Sequence, residues 1–185
     1  MRPIPQLDGE TGFAEIFFED VFVPDAQVLG GVDQGWQVAM ATAGSERGLS
    51  LRSPARYTET ASRLVDLYAA HLTADPSRAE RSADAVAQAW IDAEAYRLHT
   101  LWTATRVLMG GTVGPEASAN KIHWSETDLA IHRTALELLG PDAEEPSGNG
   151  WLDGYLFALA GPIYAGTNEI QRNVVAERML GLPRN

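Results

Sequence analysis

Cysteine is absent from the 185 residues, and its absence excludes several kinds of chemistry. The chain can form no disulfide, no thiol nucleophile and no cysteine metal site. No apolar run is long enough to span a bilayer, and we expect no signal peptide, because Met1-Arg2-Pro3-Ile4 lacks that pattern. These features fit a cytoplasmic protein, and we expect no membrane partner.

Basic residues are scarce. The sequence holds 14 lysines and arginines against 25 aspartates and glutamates, which gives a formal net charge of −11 at pH 7. This charge disfavours non-specific binding to nucleic acid or to an anionic membrane. The histidines, His71, His99, His123 and His132, lack the spacing of a metal site. We therefore expect no bound metal and interpret each histidine as a helix-surface or core residue.

The first thirty residues differ in composition from the rest. Residues 12–24 are rich in aromatic and β-branched side chains, and Pro24-Asp25 ends the run. This pattern predicts one or two short strands. Because a lone strand or hairpin is marginally stable in water, such strands need partner strands or must pack on helices.

From Gly35 onward the apolar periodicity predicts helices. The first expected helix begins near Gly35, and the second runs from about Ser45 to His71 with a kink at Pro54. The third runs from Ser82 or Ala83 to about Met109, and the fourth runs to Leu139 with Pro115 at its first position. A short helix follows from Trp151 to Leu159. Three long helices plus a C-terminal helix predict a mainly α fold, an antiparallel four-helix bundle with a short N-terminal β segment.

Apolar stripes indicate which sides of the long helices face the core. In the third helix the stripe comprises Val86, Ala89, Trp90, Ala93, Leu101, Ala104 and Leu108, and in the fourth it comprises Ile122, Leu129, Leu136 and Leu139. Four tryptophans are expected to fill the core or subunit interfaces, namely Trp90, Trp102, Trp124 and Trp151.

The most informative stretch is residues 161–172. A Gly-Pro break and a tight Ala-Gly turn lead into a helix start, where Thr167 or Asn168 can serve as N-cap and Gln171 is placed for a capping box. The helical pattern then continues to Gly181. The free N–H groups of such a start suit a phosphate or pyrophosphate, although an ordinary loop entering an ordinary helix has the same local pattern.

The full string resembles the C-terminal signature of the acyl-CoA dehydrogenase family. It reads Ile163-Tyr164-Ala165-Gly166-Thr167-Asn168-Glu169-Ile170-Gln171-Arg172-Asn173 and continues with Ala176-Glu177-Arg178 and Leu180-Gly181-Leu182-Pro183-Arg184. The resemblance implies that residues 31–185 form the family's C-terminal helical bundle. It also implies that residues 1–30 are a remnant of the β-domain strands with a linker, since residues 17–24 are similar to the last strands of that domain.

The resemblance implies a reaction, the α,β-dehydrogenation of an acyl-CoA thioester. A carboxylate removes the proton α to the carbonyl while FAD accepts a hydride from the β carbon. Many members carry this base directly before the Gly-Thr pair, where this chain has Ala165; isovaleryl-type members place it in an earlier Glu-Arg pair, here Glu46-Arg47. By resemblance Glu46 is the candidate base, and Gly44, Ser45 and Arg47 lie near the CoA or acyl moiety. A solvated surface pair is the alternative interpretation of Glu46-Arg47.

The same resemblance places Gly166 near the acyl thioester and Thr167, Asn168 and Glu169 near FAD. Thr167 can also be a plain N-cap, and one residue can fill both roles. For Arg172 two roles remain open, a helix-surface arginine or a part of subunit packing.

Three further stretches relate the chain to branches of the family. Residues 121–126 resemble its Lys-x-x-x-Ser-Glu helix, where we expect packing more than catalysis. Residues 72–77 replace a common Arg-x-x-Phe-Gly loop, and residues 137–141 replace a Gln-x-x-Gly-Gly turn. Both departures are similar to those of divergent branches such as the steroid side-chain acyl-CoA dehydrogenases, some of which share a flavin site between unlike subunits.

The partners implied by the resemblance are an acyl-CoA substrate, an electron-transfer acceptor, and either copies of this chain or a related subunit. We expect the 185-residue chain to be inactive alone, because much of the family's flavin pocket lies outside the part it resembles. Two alternatives stay open: a non-catalytic partner subunit of a mixed assembly, and a structural helical oligomerisation module.

Overall fold

The computed structural model describes residues 1–45, 52–144 and 150–184, with the backbone alone at residues 43–45. The chain divides into two compact units, Met1–Glu46 and Arg47–Asn185. The predicted domain limit after residue 30 falls within the first unit and stays a prediction.

The first unit has little regular structure. Strands β1 (Arg2–Ile4) and β2 (Phe13–Glu15) pair antiparallel, a 3-10 turn covers Asp25–Gln27, and helix α1 covers Gly35–Ser45. The predicted strand segment is confirmed only at β2, because residues 16–24 form no strand. A strand requires a hydrogen-bonding partner, and β2 pairs with the unpredicted β1 instead of extending towards Pro24.

The second unit is a bundle of helices arranged around its fourth long segment. Its helices are α2 (Pro54–Ala74), α3 (Pro76–Leu108), α4 (Glu116–Leu139), α5 (Trp151–Ala158) and α6 (Asn168–Val174), with a 3-10 turn at Gly140–Glu144 and a π-helical turn at Val175–Met179. Helix α4 packs against α2, α3, α5 and α6. The mainly α fold class with a short N-terminal β segment is thus confirmed. The C-terminal helix of the predicted bundle is the short helix α6, followed by the π-helical turn.

Prolines begin helices in this unit and bend none of the helices named above. Pro54 is the first residue of α2, so the predicted continuous helix from Ser45 to His71 with an internal kink is wrong. Pro76 likewise opens α3, six residues before the predicted start, and Asp75 caps it by accepting a hydrogen bond from the N–H of Arg78 at 3.1 Å. Proline is tolerated in a first turn because its missing N–H would have no helical partner there.

Helix α3 buries one regular stripe. The buried residues alternate in steps of three and four along its whole length: Ala79, Ser82, Val86, Ala89, Ala93, Tyr96, Thr100 and Thr103. This spacing is that of a helix packed lengthwise in a bundle. The predicted stripe is therefore right at Val86, Ala89 and Ala93 and wrong at Trp90, Leu101 and Leu108, which are exposed.

A second set of large apolar side chains on α3 stays between 43% and 57% exposed. We call this set the exposed side of α3; it consists of Trp90, Ile91, Leu98, Leu101 and Trp102. Large apolar groups gathered on one helix are a feature of interaction surfaces. The predicted interface role of Trp90 and Trp102 stays a prediction.

Helix α4 is buried on more than one side. Its fully buried apolar residues are Trp124, Ile131, Ala135 and Leu138, whereas the four predicted inward residues are only half-buried. Because α4 is contacted by four other helices, a single stripe does not describe its burial. Trp124 and Trp151 lie in the core as expected. No helix in the described ranges is long and apolar enough to cross a membrane.

Candidate functional site

The candidate site begins at the turn between α5 and α6. The N–H of Asn168 donates to the carbonyl oxygen of Pro162 at 2.8 Å, which closes the loop. Within it, Ala165 (φ +54°) and Gly166 (φ +86°) adopt left-handed backbone conformations. Glycine adopts this conformation freely, whereas it costs an alanine about 1 kcal/mol. The surroundings must therefore hold Ala165 in place.

Gln171 holds the inner side of this turn. Its side chain is fully buried, and Nε2 donates to the carbonyl oxygens of Ala165 at 3.2 Å and Gly166 at 3.3 Å. The predicted capping box is therefore wrong. The N-cap is Thr167, whose hydroxyl oxygen accepts from the N–H of Ile170 at 3.4 Å, and Gln171 bonds the turn.

The side chain of Asn168 is buried against α4. Its Oδ1 accepts from Nζ of Lys121 at 2.7 Å, and its Nδ2 donates to Oγ of Ser125 at 3.1 Å and to Oε1 of Glu126 at 3.2 Å. These bonds attach the start of α6 to α4, which confirms packing as a role of the Lys-x-x-x-Ser-Glu helix. The predicted contact of Asn168 with FAD stays a prediction, and the described side-chain bonds of Asn168 are internal.

Lys121 is the only lysine in the sequence, and it is 2% exposed. Burial lowers the pKa of its ammonium group, and the nearby carboxylates of Glu169 and Glu126 act in the opposite direction. A buried ammonium group costs free energy unless it is hydrogen-bonded, and Asn168 supplies that bond. The start of α6 is therefore tied to α4 by a charge-assisted contact.

Two charged residues of α6 lie on the surface. The pKa of Glu169 is held below its ordinary value mainly by a hydrogen bond from the backbone N–H of Glu169 itself, and next by the hydroxyl of Thr167. Arg172 forms an ion pair with Glu126, and both side chains are about half exposed. Such pairs contribute little to stability. The helix-surface role of Arg172 is thus seen here, and a role in subunit packing stays open.

Aromatic rings around Arg52 pack beside the residue that precedes the turn. The guanidinium carbon lies 5.0 Å from the ring centroid of Tyr164, 5.1 Å from that of Trp124 and 5.9 Å from that of Phe157. Arg52 also donates to the hydroxyl of Tyr164, and its carbonyl oxygen accepts from the hydroxyl of Tyr96 at 3.0 Å. The start of the second unit's first helix is thereby attached to α3, α4, α5 and the turn.

The predicted base, Glu46, lies outside the described residues, as does Arg47. Gly44 and Ser45 end α1 in the first unit and are described by their backbone alone. The structure brings residues 166–169 together at the turn and the start of α6. The roles of Glu46, Arg47, Gly44 and Ser45 stay predictions.

A separate cavity of about 350 Å³ lies between α3 and α4. It is lined by Ala95, His99, Ala119, Asn120 and His123. Burial lowers the pKa of His99, and the proximity of His123 adds to this effect. Residues 166–169 do not line this cavity, which is therefore separate from the turn before α6.

Sequence reasoning missed the contributions of Gln171 and Arg52 to the turn. Gln171 was recognised as polar and correctly spaced for capping, but its partners are carbonyl groups five and six residues earlier. Only the left-handed backbone of the turn could have indicated this pairing. Arg52 is 112 positions away from Tyr164, and no local pattern carries a contact of that separation.

Comparison with known proteins identifies one family over most of the chain. Residues 33–180 match the family model described as the C-terminal domain of acyl-CoA dehydrogenase. Acyl-CoA dehydrogenase IpdE1 of Mycobacterium tuberculosis is 38% identical over 100% of this chain and 48% of its own length. The protein of the same name from Mycolicibacterium smegmatis is 36% identical over 100% of this chain and 46% of its own.

Among solved structures, one described as the Tcur3481-Tcur3483 steroid ACAD aligns with a TM-score of 0.76 and 25% identity. The alignment covers 99% of this chain and 48% of the other. The chain thus spans about half the length of the relatives it matches.

Proposed function

Since the chain belongs to the acyl-CoA dehydrogenase family, with its C-terminal domain at residues 33–180, we propose that it forms the helical part of a flavin-dependent acyl-CoA dehydrogenase. The proposed reaction is the α,β-dehydrogenation of an acyl-CoA thioester. The observation that carries the proposal is the turn at residues 165–167, which lies within the signature sequence and whose first two residues, Ala165 and Gly166, are held in a left-handed conformation.

The residues at this turn fit a flavin dinucleotide. FAD, when bound, supplies the acceptor for the hydride that leaves the β carbon. The hydroxyl of Thr167 and the N–H groups before α6 suit an anionic oxygen such as that of a pyrophosphate. Glu169 keeps its carboxylate ionised more readily than usual, because its pKa is lowered, so we assign it to hydroxyl groups of FAD and not to its phosphates. Asn168 is assigned to the surroundings of FAD as a support of the turn, because its side chain is bonded to α4 and its N–H to the carbonyl oxygen of Pro162.

We assign proton removal from the α carbon to Glu46. Ala165 occupies the position at which many family members carry the base, and its methyl group cannot accept a proton. A carboxylate in this role needs a raised pKa and a site from which water is excluded. Gly44, Ser45 and Arg47 are assigned to the surroundings of the CoA or acyl moiety, and Gly166 to the acyl thioester.

The base assignment is tested by Glu46→Gln in a flavin-loaded assembly that contains this chain. Because this substitution keeps the size of the side chain and removes its basicity, turnover is expected to fall by a factor of about 10² to 10⁴. Glu59→Gln is the matched control, since Glu59 is an exposed glutamate on α2. Turnover that Glu46→Gln leaves unchanged would overturn this assignment.

The names of the relatives support a proposal for the substrate and the assembly. The relative described as a steroid ACAD carries two joined names, Tcur3481 and Tcur3483. We therefore propose a steroid-derived acyl-CoA as substrate and an assembly that joins this chain to copies of itself or to a related subunit. An external electron-transfer acceptor then takes the electrons from the flavin, and we retain the cytoplasm as the expected location.

A second candidate function is a partner subunit without catalytic activity. The exposed side of α3 and the joined names of the steroid relative both favour an assembly of several chains. In that case Glu46→Gln leaves turnover unchanged while removal of this chain from the assembly abolishes flavin binding. A purely structural oligomerisation module, by contrast, would contribute nothing to a flavin absorbance spectrum.

A further inference from the structure

We propose that Gln171 is a positioning residue that sets the direction of two successive peptide planes, so that the N–H groups of Gly166 and Thr167 face the ligand. The inference rests on the proposed function, in which residues 166 and 167 lie beside the acyl thioester and FAD. It adds a residue to that site for which the sequence predicted only helix capping.

The argument starts from the planarity of the peptide bond. In a trans peptide the carbonyl of one residue and the N–H of the next point in opposite directions, and the described chain contains no cis peptide bond. Gln171 draws the carbonyl oxygens of Ala165 and Gly166 to the buried side of the turn. The N–H groups of Gly166 and Thr167 are therefore turned to the opposite side.

A glutamine is suited to this position. One Nε2 atom carries two N–H donors, and each carbonyl of the turn takes one of them. The bonds offset the strain of Ala165, a non-glycine residue at φ +54°. The position of Gln171 is itself fixed, because Asn168, on the same short helix, is bonded to Lys121 of α4.

Two N–H groups that point the same way favour an oxygen atom with negative charge. In the proposed site such an oxygen comes from the pyrophosphate of FAD or from the thioester carbonyl as it becomes an enolate. Because the turn is held before any ligand arrives, no free energy of reorganisation is spent when that charge develops.

The first test needs no ligand. Gln171→Met keeps the volume of the side chain and removes both donors, and Gln88→Met on α3 is the matched control at an exposed glutamine. The intraresidue NOE between the amide and α protons of Ala165 is strong at positive φ, because the two protons are eclipsed and closest there, and it is weaker at negative φ. We expect Gln171→Met to lose this strong NOE at Ala165 and Gln88→Met to retain it. An unchanged NOE in Gln171→Met would overturn the proposal.

If the Gln171→Met variant does not fold, the Gln171→Glu variant provides an independent test of whether residue 171 holds the turn by donating hydrogen bonds. An ionised carboxylate has no donor for the two carbonyls, whereas a protonated carboxyl has one O–H donor. Burial raises the pKa of such a carboxyl. The turn of Gln171→Glu should therefore be lost at about pH 8 and recovered at about pH 5, while the wild-type chain keeps it at both. Recovery is not expected if Gln171 only fills space, and its absence would count against the proposal.

The second test asks which oxygen the N–H groups bind. In a flavin-loaded assembly, Gln171→Met is expected to raise the dissociation constant of FAD about tenfold if the pyrophosphate is the ligand, the effect of about one charge-assisted hydrogen bond. If the thioester is the ligand, kcat falls about tenfold with little change in the KM for acyl-CoA. A variant that has lost the turn but changes neither quantity would overturn the proposed role. A wild-type assembly that binds no FAD would instead refute the proposed function, and the NMR result would still decide whether Gln171 holds the turn.

Discussion

Replacement of two neighbouring tyrosines by phenylalanine should change stability in opposite directions. Tyr57 of α2 and Tyr96 of α3 are both buried, and their rings meet edge to face with centroids 4.9 Å apart. The hydroxyl of Tyr96 donates to the carbonyl oxygen of Arg52 at 3.0 Å, whereas the hydroxyl of Tyr57 has no partner in the described part of the chain. Replacement of Tyr96 by phenylalanine therefore removes a hydrogen bond, whereas replacement of Tyr57 removes a buried hydroxyl group that forms none.

The expected magnitudes follow from the energetics of buried hydroxyl groups. Loss of the Tyr96 hydrogen bond should lower the free energy of unfolding by about 1 kcal/mol. Removal of the unpaired hydroxyl of Tyr57 relieves its desolvation and should raise the free energy of unfolding by about 1 kcal/mol. The packing of both rings is retained, so the two variants should differ by about 2 kcal/mol.

The pH dependence provides a second signature. Burial, and then the nearby carboxylate of Asp128, raise the pKa of Tyr57 above its ordinary value of 10.0. A group whose pKa is raised in the folded state contributes stability that is present below the unfolded-state pKa and is lost as the pH rises above it. The free energy of unfolding of the wild type should therefore fall above about pH 10, and Tyr57→Phe should reduce that slope.

Urea denaturation of the 185-residue chain at about pH 7 and over an alkaline series measures both effects. Equal slopes against urea concentration in all variants would show that the substitutions change the midpoint alone. If Tyr57→Phe destabilises the chain as much as Tyr96→Phe, the reasoning is refuted. That result would mean that the hydroxyl of Tyr57 donates to a group such as Oδ1 of Asp128, which has no hydrogen-bond partner in the described part of the chain and lies 3.4 Å from Nδ1 of His132.

Four further predictions concern packing, the buried lysine with its partner Asn168, and assembly. Gly154→Ala should lower the free energy of unfolding by about 1–3 kcal/mol, since the added methyl group would overlap the imidazole of His132; urea denaturation measures this. Burial lowers the pKa of Lys121 below its ordinary value of 10.5. The free energy of unfolding should therefore increase as the pH rises towards 10.5, and Lys121→Met should remove this increase. Asn168→Ala should lower the free energy of unfolding by about 1.5–3 kcal/mol, because the ammonium group of Lys121 loses its hydrogen bond to Asn168. The titration of this single lysine can be followed by NMR. Finally, the exposed side of α3 should drive self-association at micromolar concentration, and sedimentation as a 20.0 kDa monomer would contradict this.

The helical fold followed from the sequence because its signals are local. Apolar periodicity and the ends of the helices near Leu108 and Leu139 needed no tertiary information. The starts were less accurate, because a proline either kinks a helix or opens one, and the flanking residues do not decide between these outcomes. Burial was predicted correctly on α3 only at Val86, Ala89 and Ala93, and at none of the four predicted residues of α4, which is contacted from several directions.

The position of the candidate site could be predicted from the sequence, but the interactions that hold its backbone could not. The signature at residues 163–173 identified the turn, since its residue types are a fixed string. The interactions that shape the turn were missed for two reasons. Gln171 acts on carbonyls whose direction depends on the left-handed backbone at Ala165, and Arg52 reaches Tyr164 across the fold. Long-range contacts of this kind leave no pattern in neighbouring residues.

The most direct test of the central proposal is anaerobic mixing of an acyl-CoA with a flavin-loaded assembly that contains this chain, followed by the absorbance of oxidised flavin. The proposal predicts rapid loss of that absorbance with the wild-type chain and with Glu59→Gln, and a loss slower by a factor of about 10² or more with Glu46→Gln. Flavin that remains oxidised in the presence of steroid-derived and straight-chain acyl-CoA thioesters alike would contradict it.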